Sequence, residues 1–316
     1  MIIASVIANI KYFFGHEFSF YLARPFKKYY IIRRSELGAG FFSNYYWVMG
    51  HVIFAKKLGY IPVVDMKNYP TLYSEDTPLD GIDNAWNYYF ENVGDVSLEE
   101  AYASGKYVLG EIRNLHKYTD RDVDSVYRFP SKKAVSFYNA VVTKNIRIRA
   151  DILDRFEDYY KRNVANWRTI GVHIRGTDMK NDLGHPMPAN TAKYIEAISK
   201  LVESDGAIQK IYLATDEKTV VDSVSDAVSA FSNTKIQLVY QDAFRSDIQT
   251  ASRQTGIHEQ HIENPRERHK YLMGLEVLQD AWMLSRCDYL ICGYSNITNT
   301  VLIWNDNKFI DVCLIR

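Results

Sequence analysis

The sequence predicts an α/β protein built on parallel sheet, and three observations predict it. Short apolar runs alternate with amphipathic helical runs through the second half. The first half holds a strand, glycine loop, helix, strand unit, as in a doubly wound domain. Several apolar runs stop abruptly at Arg, Asp, Ser or Asn, the residue types a parallel sheet offers to ligands at its carboxyl edge.

The elements follow in order. Tyr29–Ile32 reads as a short strand, and Gly38 and Gly40 as a tight loop. Over residues 42–58 the side chains of Phe42, Tyr45, Tyr46, Met49, Val52, Ile53 and Leu58 recur at helical spacing. Gly59 ends that helix, and Tyr60–Val64 is a buried strand. Residues 67–105 are loop-rich, with Pro70, Pro78, Gly81 and Gly94, and residues 129–152 read as one helix. Then come strand Thr169–Ile174, a loop over 175–189, helix Asn190–Glu203, strand Lys210–Ala214 and helix Glu217–Ser229. Strand Ile236–Tyr240, a loop over 243–265, a helix over 267–286 and strand Tyr289–Cys292 follow. A loop, Gly293–Asn296, leads into a helix and a last strand, Phe309–Leu314. This order divides the 316 residues into domains at 1–165 and 166–316.

Composition narrows the function. Lys+Arg and Asp+Glu both number 38, so the chain lacks the basic excess of a general nucleic-acid binder. Three cysteines, Cys287, Cys292 and Cys313, form no disulfide framework and read as reduced thiols of a cytosolic protein. The 24 Tyr, 15 Phe and 5 Trp serve packing first and sugar stacking second. No run is long enough to span a membrane. The N-terminal arm is apolar and aromatic, and residues 1–40 carry six cations against Glu17 and Glu36. It reads as a buried first element or as an interfacial segment on an anionic membrane. Residues 61–103 carry nine carboxylates against Lys67 alone, read mainly as a solvated loop region with helix N-terminal acids.

The strand ends hold the chemistry. GVHIRGTDMK, residues 171–180, ends a buried strand in Arg175, whose planar fork suits phosphate oxygens, with Asp178 close behind. His173 and Arg175 share one face of the strand. The bland alternative is an Arg–Asp pair that closes a loop. IYLATDE, residues 211–217, ends in Thr215, Asp216 and Glu217, where Thr215 or Asp216 would also cap the next helix. The loop at Tyr294, Ser295 and Asn296 opens a helix whose N-terminus suits an anion, or is simply capped by Ser295 or Asn296. Arg175 is taken as the only arginine ending a buried strand at a ligand edge. The spacing His258-x2-His261 is not that of the helical zinc pair, and no Asp-x-Asp pair ends one of these strands.

At these residues the chain resembles the fucosyltransferase superfamily: α-1,6-fucosyltransferases, Nod-factor fucosyltransferases and protein O-fucosyltransferases. The family's His-Val-Arg-Arg-Thr-Asp-Lys strand end is similar to His173-Ile174-Arg175-Gly176-Thr177-Asp178. Its Tyr-Leu-Ala-Thr-Asp run resembles Tyr212–Asp216, and its late helix and Phe-Ser-Ser turn resemble Asp280 through Tyr294-Ser295-Asn296. Gly256-Ile257-His258 looks like its Gly-x-His. The likeness covers residues 169–305, and before them only the loop and helix of 36–58.

The resemblance implies a GT-B-like fold, two Rossmann-like domains facing a cleft, with acceptor on the first and donor on the second. It implies an inverting glycosyltransferase that needs no metal or other cofactor and moves L-fucose from GDP-fucose to a glycan or glycolipid hydroxyl. Cell-surface polysaccharide or glycolipid synthesis would be its setting, at the cytoplasmic face of the membrane. Arg175 would bind the β-phosphate, His173 and Asp280 the guanine, and Ser295 or Asn296 the pyrophosphate. Asp178, Asp216 or Glu217 would shape the fucose and cleft region, Gly38, Gly40 and His258 would line the substrate side, and Asp178 or Asp182 would be the base. Two positions depart from the family: Gly176 replaces its second arginine and Asn296 its second serine. Another nucleotide sugar, or glycan binding without turnover, are the alternatives.

Overall fold

In the computed structural model, residues 18–35, 38–111, 129–175, 190–231, 236–245 and 266–316 are described. The chain divides into two compact units, Met1–Asp124 with Ala140–Ile148, and Ser125–Asn139 with Arg149–Arg316.

The first unit carries a three-stranded parallel sheet in the order β2-β1-β3, with β1 Tyr29–Ile32, β2 Ile61–Val64 and β3 Tyr107–Gly110. Helix α1, Phe18–Ala23, precedes β1, and α2, Phe41–Lys57, connects β1 to β2. A short α3, Leu98–Ala103, leads to β3, and its Ser97 cap accepts the Glu100 amide. Gly59 ends α2 at φ 78°, a left-handed value that glycine adopts without strain. The core is built of rings. Phe41 meets Tyr73 edge-on at 5.2 Å and Tyr89 at 5.0 Å, and Trp86 stacks on Phe90 at 4.4 Å. Many of the aromatic residues counted in the sequence therefore serve packing.

Acids of the 61–103 stretch are tied down locally. Buried Asp65 accepts from the Lys67 and Asn68 amides and from the Tyr102 hydroxyl. Lys67 pairs with Asp83, and Arg147 with Asp95.

The second unit is a five-stranded parallel sheet, β6-β5-β4-β7-β8. Its strands are β4 Arg168–His173, β5 Ile208–Ala214, β6 Gln237–Val239, β7 Tyr289–Cys292 and β8 Asp311–Leu314. Helices α6 Thr191–Ser204, α7 Lys218–Ser229, α8 His269–Leu284 and α9 Asn296–Asn305 link them. The core is aliphatic: Ile170, Val172, Ile211, Leu213 and Ile291 from the sheet meet Ile198 and Val224. Cys287, Cys292 and Cys313 are unpaired, and burial pushes their thiols up and out of reactivity.

Three elements differ from the sequence reading. The helix expected over 129–152 is two, α4 Lys132–Asn145 and α5 Ala150–Asn163. Between them Ile148 bridges to Phe90, and the Glu91 amide bonds the Arg147 carbonyl. Helix α5, placed in the first domain by the 165/166 division, packs in the second unit, with Phe156 5.8 Å and Tyr160 6.0 Å from Trp282. Strand β3 was not foreseen.

Candidate functional site

The second sheet has one place where its winding reverses. The chain steps outward from β4 to β5 to β6, then α8 carries it back across to β7, on the other side of β4. A crevice opens outside the carboxyl ends of strands at such a reversal, so β4 and β7 mark the site. His173 is in register with Ala214 on one side and Cys292 on the other, and Arg175 follows two residues later.

The β7 end folds as a tight polar turn. Ser295 is the N-cap of α9, and its hydroxyl oxygen accepts the Thr298 amide at 3.0 Å. Thr298 donates its own hydroxyl to the Gly293 carbonyl at 2.7 Å and accepts from Ser295 at 3.1 Å. His173 Nδ1 lies 3.4 Å from the same Thr298 oxygen. Because the Thr298 proton is directed at Gly293, the contact assigns the proton between them to Nδ1. A Cβ at Gly293 would stand 2.8 Å from the Tyr194 hydroxyl beneath the turn, so a side chain there would push that hydroxyl aside.

Electrostatics follow from burial. Desolvation, with the Arg175 charge second, lowers His173 to about 3, so the imidazole is neutral at physiological pH. Ser295 is spent on the cap, which leaves the Asn296 and Ile297 amides and the helix dipole to face an anion. The edge thus joins a guanidinium, helix-start amides and a neutral ring.

Asp216 is half-buried at the β5 end, beside the strand that carries His173. The cap of α7 is neither Thr215 nor Asp216 but Glu217, whose side chain makes no cap bond and instead accepts from Thr219 at 2.8 Å. Thr215 accepts the Glu217 amide at 3.3 Å. Asp280 is not at a strand end. It sits on α8 and accepts from the Tyr212 hydroxyl of β5 at 2.7 Å. Burial raises its carboxyl to about 7 against the opposing pull of Tyr212, Arg245 and Gln241. Asp178, Asp182 and His258 lie outside the described residues, as does Gly176.

In the first unit Gly38 takes φ 94° and Gly40 caps α2, with open space where either Cβ would stand. One expectation fails there: Arg175 is not the only arginine at a strand end. Arg33 and Arg34 directly follow β1, and the sequence reading passed over them. Arg33 pairs with Glu111 at 3.4 Å and stacks over Tyr69 at 4.9 Å. Arg34 donates to Ser43 and to the buried Asn44, each at 3.2 Å, and lies 5.1 Å over Trp47. Asn44 in turn donates to the Ala39 carbonyl at 3.1 Å, which holds the glycine loop in place. The available signal was an Arg-Arg pair directly after an apolar run, the same pattern that drew attention to Arg175.

Among the described residues no group of three His, Cys, Asp or Glu could hold a metal ion, and no helix is long and apolar enough to cross a membrane.

No family model and no curated protein matches the chain. Solved structures do. The NodZ α-1,6-fucosyltransferase soaked with GDP-fucose aligns at a TM-score of 0.52 and 18% identity, over 88% of this chain and 92% of that one. Fucosyltransferase NodZ from Bradyrhizobium aligns at 0.52 and 18%, over 87% and 92%. POFUT1 in complex with GDP aligns at 0.51 and 12%, over 91% and 98%. The chain has the fold of these GT-B fucosyltransferases, as the sequence resemblance led us to expect.

Proposed function

We propose that the chain is an inverting glycosyltransferase that moves a sugar, L-fucose from GDP-fucose, to a glycan or glycolipid hydroxyl without a metal. One observation carries this reading: Arg175, the start of α9 and neutral His173 converge where the second sheet reverses its winding, in a chain with a fucosyltransferase fold. Of the solved neighbours that share the fold, one NodZ structure was soaked with GDP-fucose and one POFUT1 structure is in complex with GDP.

The chemistry then follows. As the anomeric bond breaks, negative charge gathers on the departing diphosphate. The Arg175 fork and the amides of Asn296 and Ile297 would supply donors to that charge. Neutral His173, protonated on Nδ1, keeps its other nitrogen as an acceptor for an N–H of the purine. Asp280 and Asp216 border the donor side, and Asp178 or Asp182 takes the acceptor proton. The first unit, through the loop at Gly38 and Gly40, serves the acceptor. Three unpaired cysteines suit a reducing compartment, and the synthesis of a cell-surface polysaccharide or glycolipid suits a cytoplasmic enzyme.

The test is nucleotide-dependent stabilisation followed by turnover. GDP should raise the unfolding temperature while UDP and CMP do not. With GDP-fucose and acceptor, GDP should be released, and release should survive EDTA. Stabilisation by UDP instead would assign another donor, and GDP binding without release would assign a glycan-binding protein.

A further inference from the structure

We propose that the segment from α1 to the start of β1 is a docking surface for an anionic lipid bilayer. The inference is independent of the donor chemistry and rests on the first unit alone.

Helix α1 is held to the core through Phe20. Its ring lies 5.4 Å from Tyr30 and 5.6 Å from Phe54, and its carbonyl accepts the Tyr60 hydroxyl. With Phe20 turned inward, helical spacing forces Tyr21 and Leu22 outward. They are 61% and 54% exposed, and Phe26, in the turn beyond, is 77% exposed. Phe26 and Tyr21 are the two most exposed large hydrophobic side chains among the described residues. Single exposed apolar residues are ordinary, but three within six positions of a pinned segment form a patch.

Cations surround that patch. Arg24 lies over the Tyr60 ring at 5.6 Å, and Lys28 over Tyr29 at 4.9 Å. Lys27 donates to the Gly105 carbonyl at 2.8 Å, which brings the 105–106 turn alongside. Lys106 belongs to the same surface, because its carbonyl accepts the amides of Lys28 and Tyr29. Among the described residues, Glu100 is a carboxylate that faces them, bonded from the Tyr29 hydroxyl at 3.2 Å and felt by Lys28. Arg24, Lys27, Lys28 and Lys106 thus gather around an aromatic tip, with Glu100 set against them.

Charge and shape together select the occupant. Aromatic and aliphatic side chains flanked by Lys and Arg match the boundary between acyl chains and anionic headgroups, where long basic side chains keep their charge in water. A second copy of the chain would need a free acidic face. Yet Asp65, Asp83 and Asp95 of its acidic stretch are already bound to Tyr102, Lys67 and Arg147.

The experiment is flotation of the full chain with vesicles of phosphatidylcholine alone, and of phosphatidylcholine mixed equally with phosphatidylglycerol. Binding is expected to the mixed vesicles only, and to weaken with salt. Lys28→Gln and Lys106→Gln should each lower the affinity about fivefold. Tyr21→Ser with Phe26→Ser should abolish binding while the unfolding temperature stays within about a degree or two, because both side chains face solvent. Equal partitioning to both vesicle types, or to neither, would overturn the proposal. So would a lipid-free dimer in sedimentation velocity that Phe26→Ser dissociates.

Discussion

The two sheets solve one problem in different materials. The first has four-residue strands and is packed by rings that lock one another edge to face. The second has strands of up to seven residues and is packed by Ile, Val and Leu. Their carboxyl edges differ as well. On the first, Arg33 and Arg34 are bound to Glu111, Tyr69, Ser43 and Asn44 and hold a glycine loop. On the second, Arg175 stands beside a buried neutral histidine and a helix start. The contrast teaches that an arginine at a strand end is not a site by itself. On the first sheet the surroundings make both arginines braces, and the proposed ligand role of Arg175 is what the next experiment tests.

The largest effect tests that division directly. Arg175→Ala should lower the transfer rate about a hundred- to a thousandfold, the magnitude for removing one donor from an anion hole, with the unfolding midpoint retained. Arg175→Lys should rescue little, because a point charge does not reproduce the fork. Steady-state rates with GDP affinity and melting on both variants check it. A fall in stability that matches the fall in rate would make Arg175 a brace, like Arg34, and the contrast would dissolve.

A second test sharpens the difference in packing. At Gly110 of β3 a Cβ would stand 2.1 Å from the Tyr30 ring, whose hydroxyl is bonded to His51 at 2.7 Å. At Gly171 of β4 the nearest atoms are 3.1 Å away and belong to the side chains of Cys287 and Leu284. Gly110→Ala should therefore cost about 1–3 kcal/mol as the ring is displaced, and Gly171→Ala less. Denaturant unfolding of the two variants measures the gap. Equal losses would mean that ring packing yields as readily as aliphatic packing.

The smallest effect is a change of pH profile. Burial lowers His51 and His173 from 6.5 to about 3. The unfolded chain then binds more protons, so their stability is present above pH 6.5 and is lost as pH falls toward 3. Asp280 runs the other way, raised from 3.8 to about 7. Its stability is present below pH 3.8 and is lost as pH rises through about 7. Asp280→Asn keeps an acceptor for Tyr212 and should flatten that loss, leaving the acid limb to the histidines. Unfolding temperature against pH for the two proteins is the measurement. Parallel curves would show that Asp280 does not titrate in this range.

Much of the second sheet was legible because its signal is local. The strands β4, β5 and β7 are β-branched and aliphatic runs between clear helices, and each lies within two residues of its expected position. Strand β3 gave little signal: YVLG is short and partly exposed, and only pairing with β1 makes it a strand. The break between α4 and α5 was hidden for the same reason, since the contacts of Arg147 and Ile148 come from Glu91 and Phe90. At the site, a residue's type and place at a strand end could be read, but not its surroundings. Ser295 is spent as a cap, Asp280 is engaged by a tyrosine 68 positions earlier, and Arg34 is fixed by Trp47.

Every strand of the first sheet runs the same way, so its amino and carboxyl edges present different sets of residues. Arg24 to Lys28 and Lys106 cluster at the amino edge, whereas Arg33, the glycine loop and Glu111 occupy the carboxyl edge. Four residues of strand, about 13 Å, separate them. Substitutions that alter attachment can therefore accumulate at one edge without passing through the other. Relatives that work free in solution would be expected to differ at Tyr21, Phe26 and Lys28 while keeping Arg33, Arg34 and Asn44.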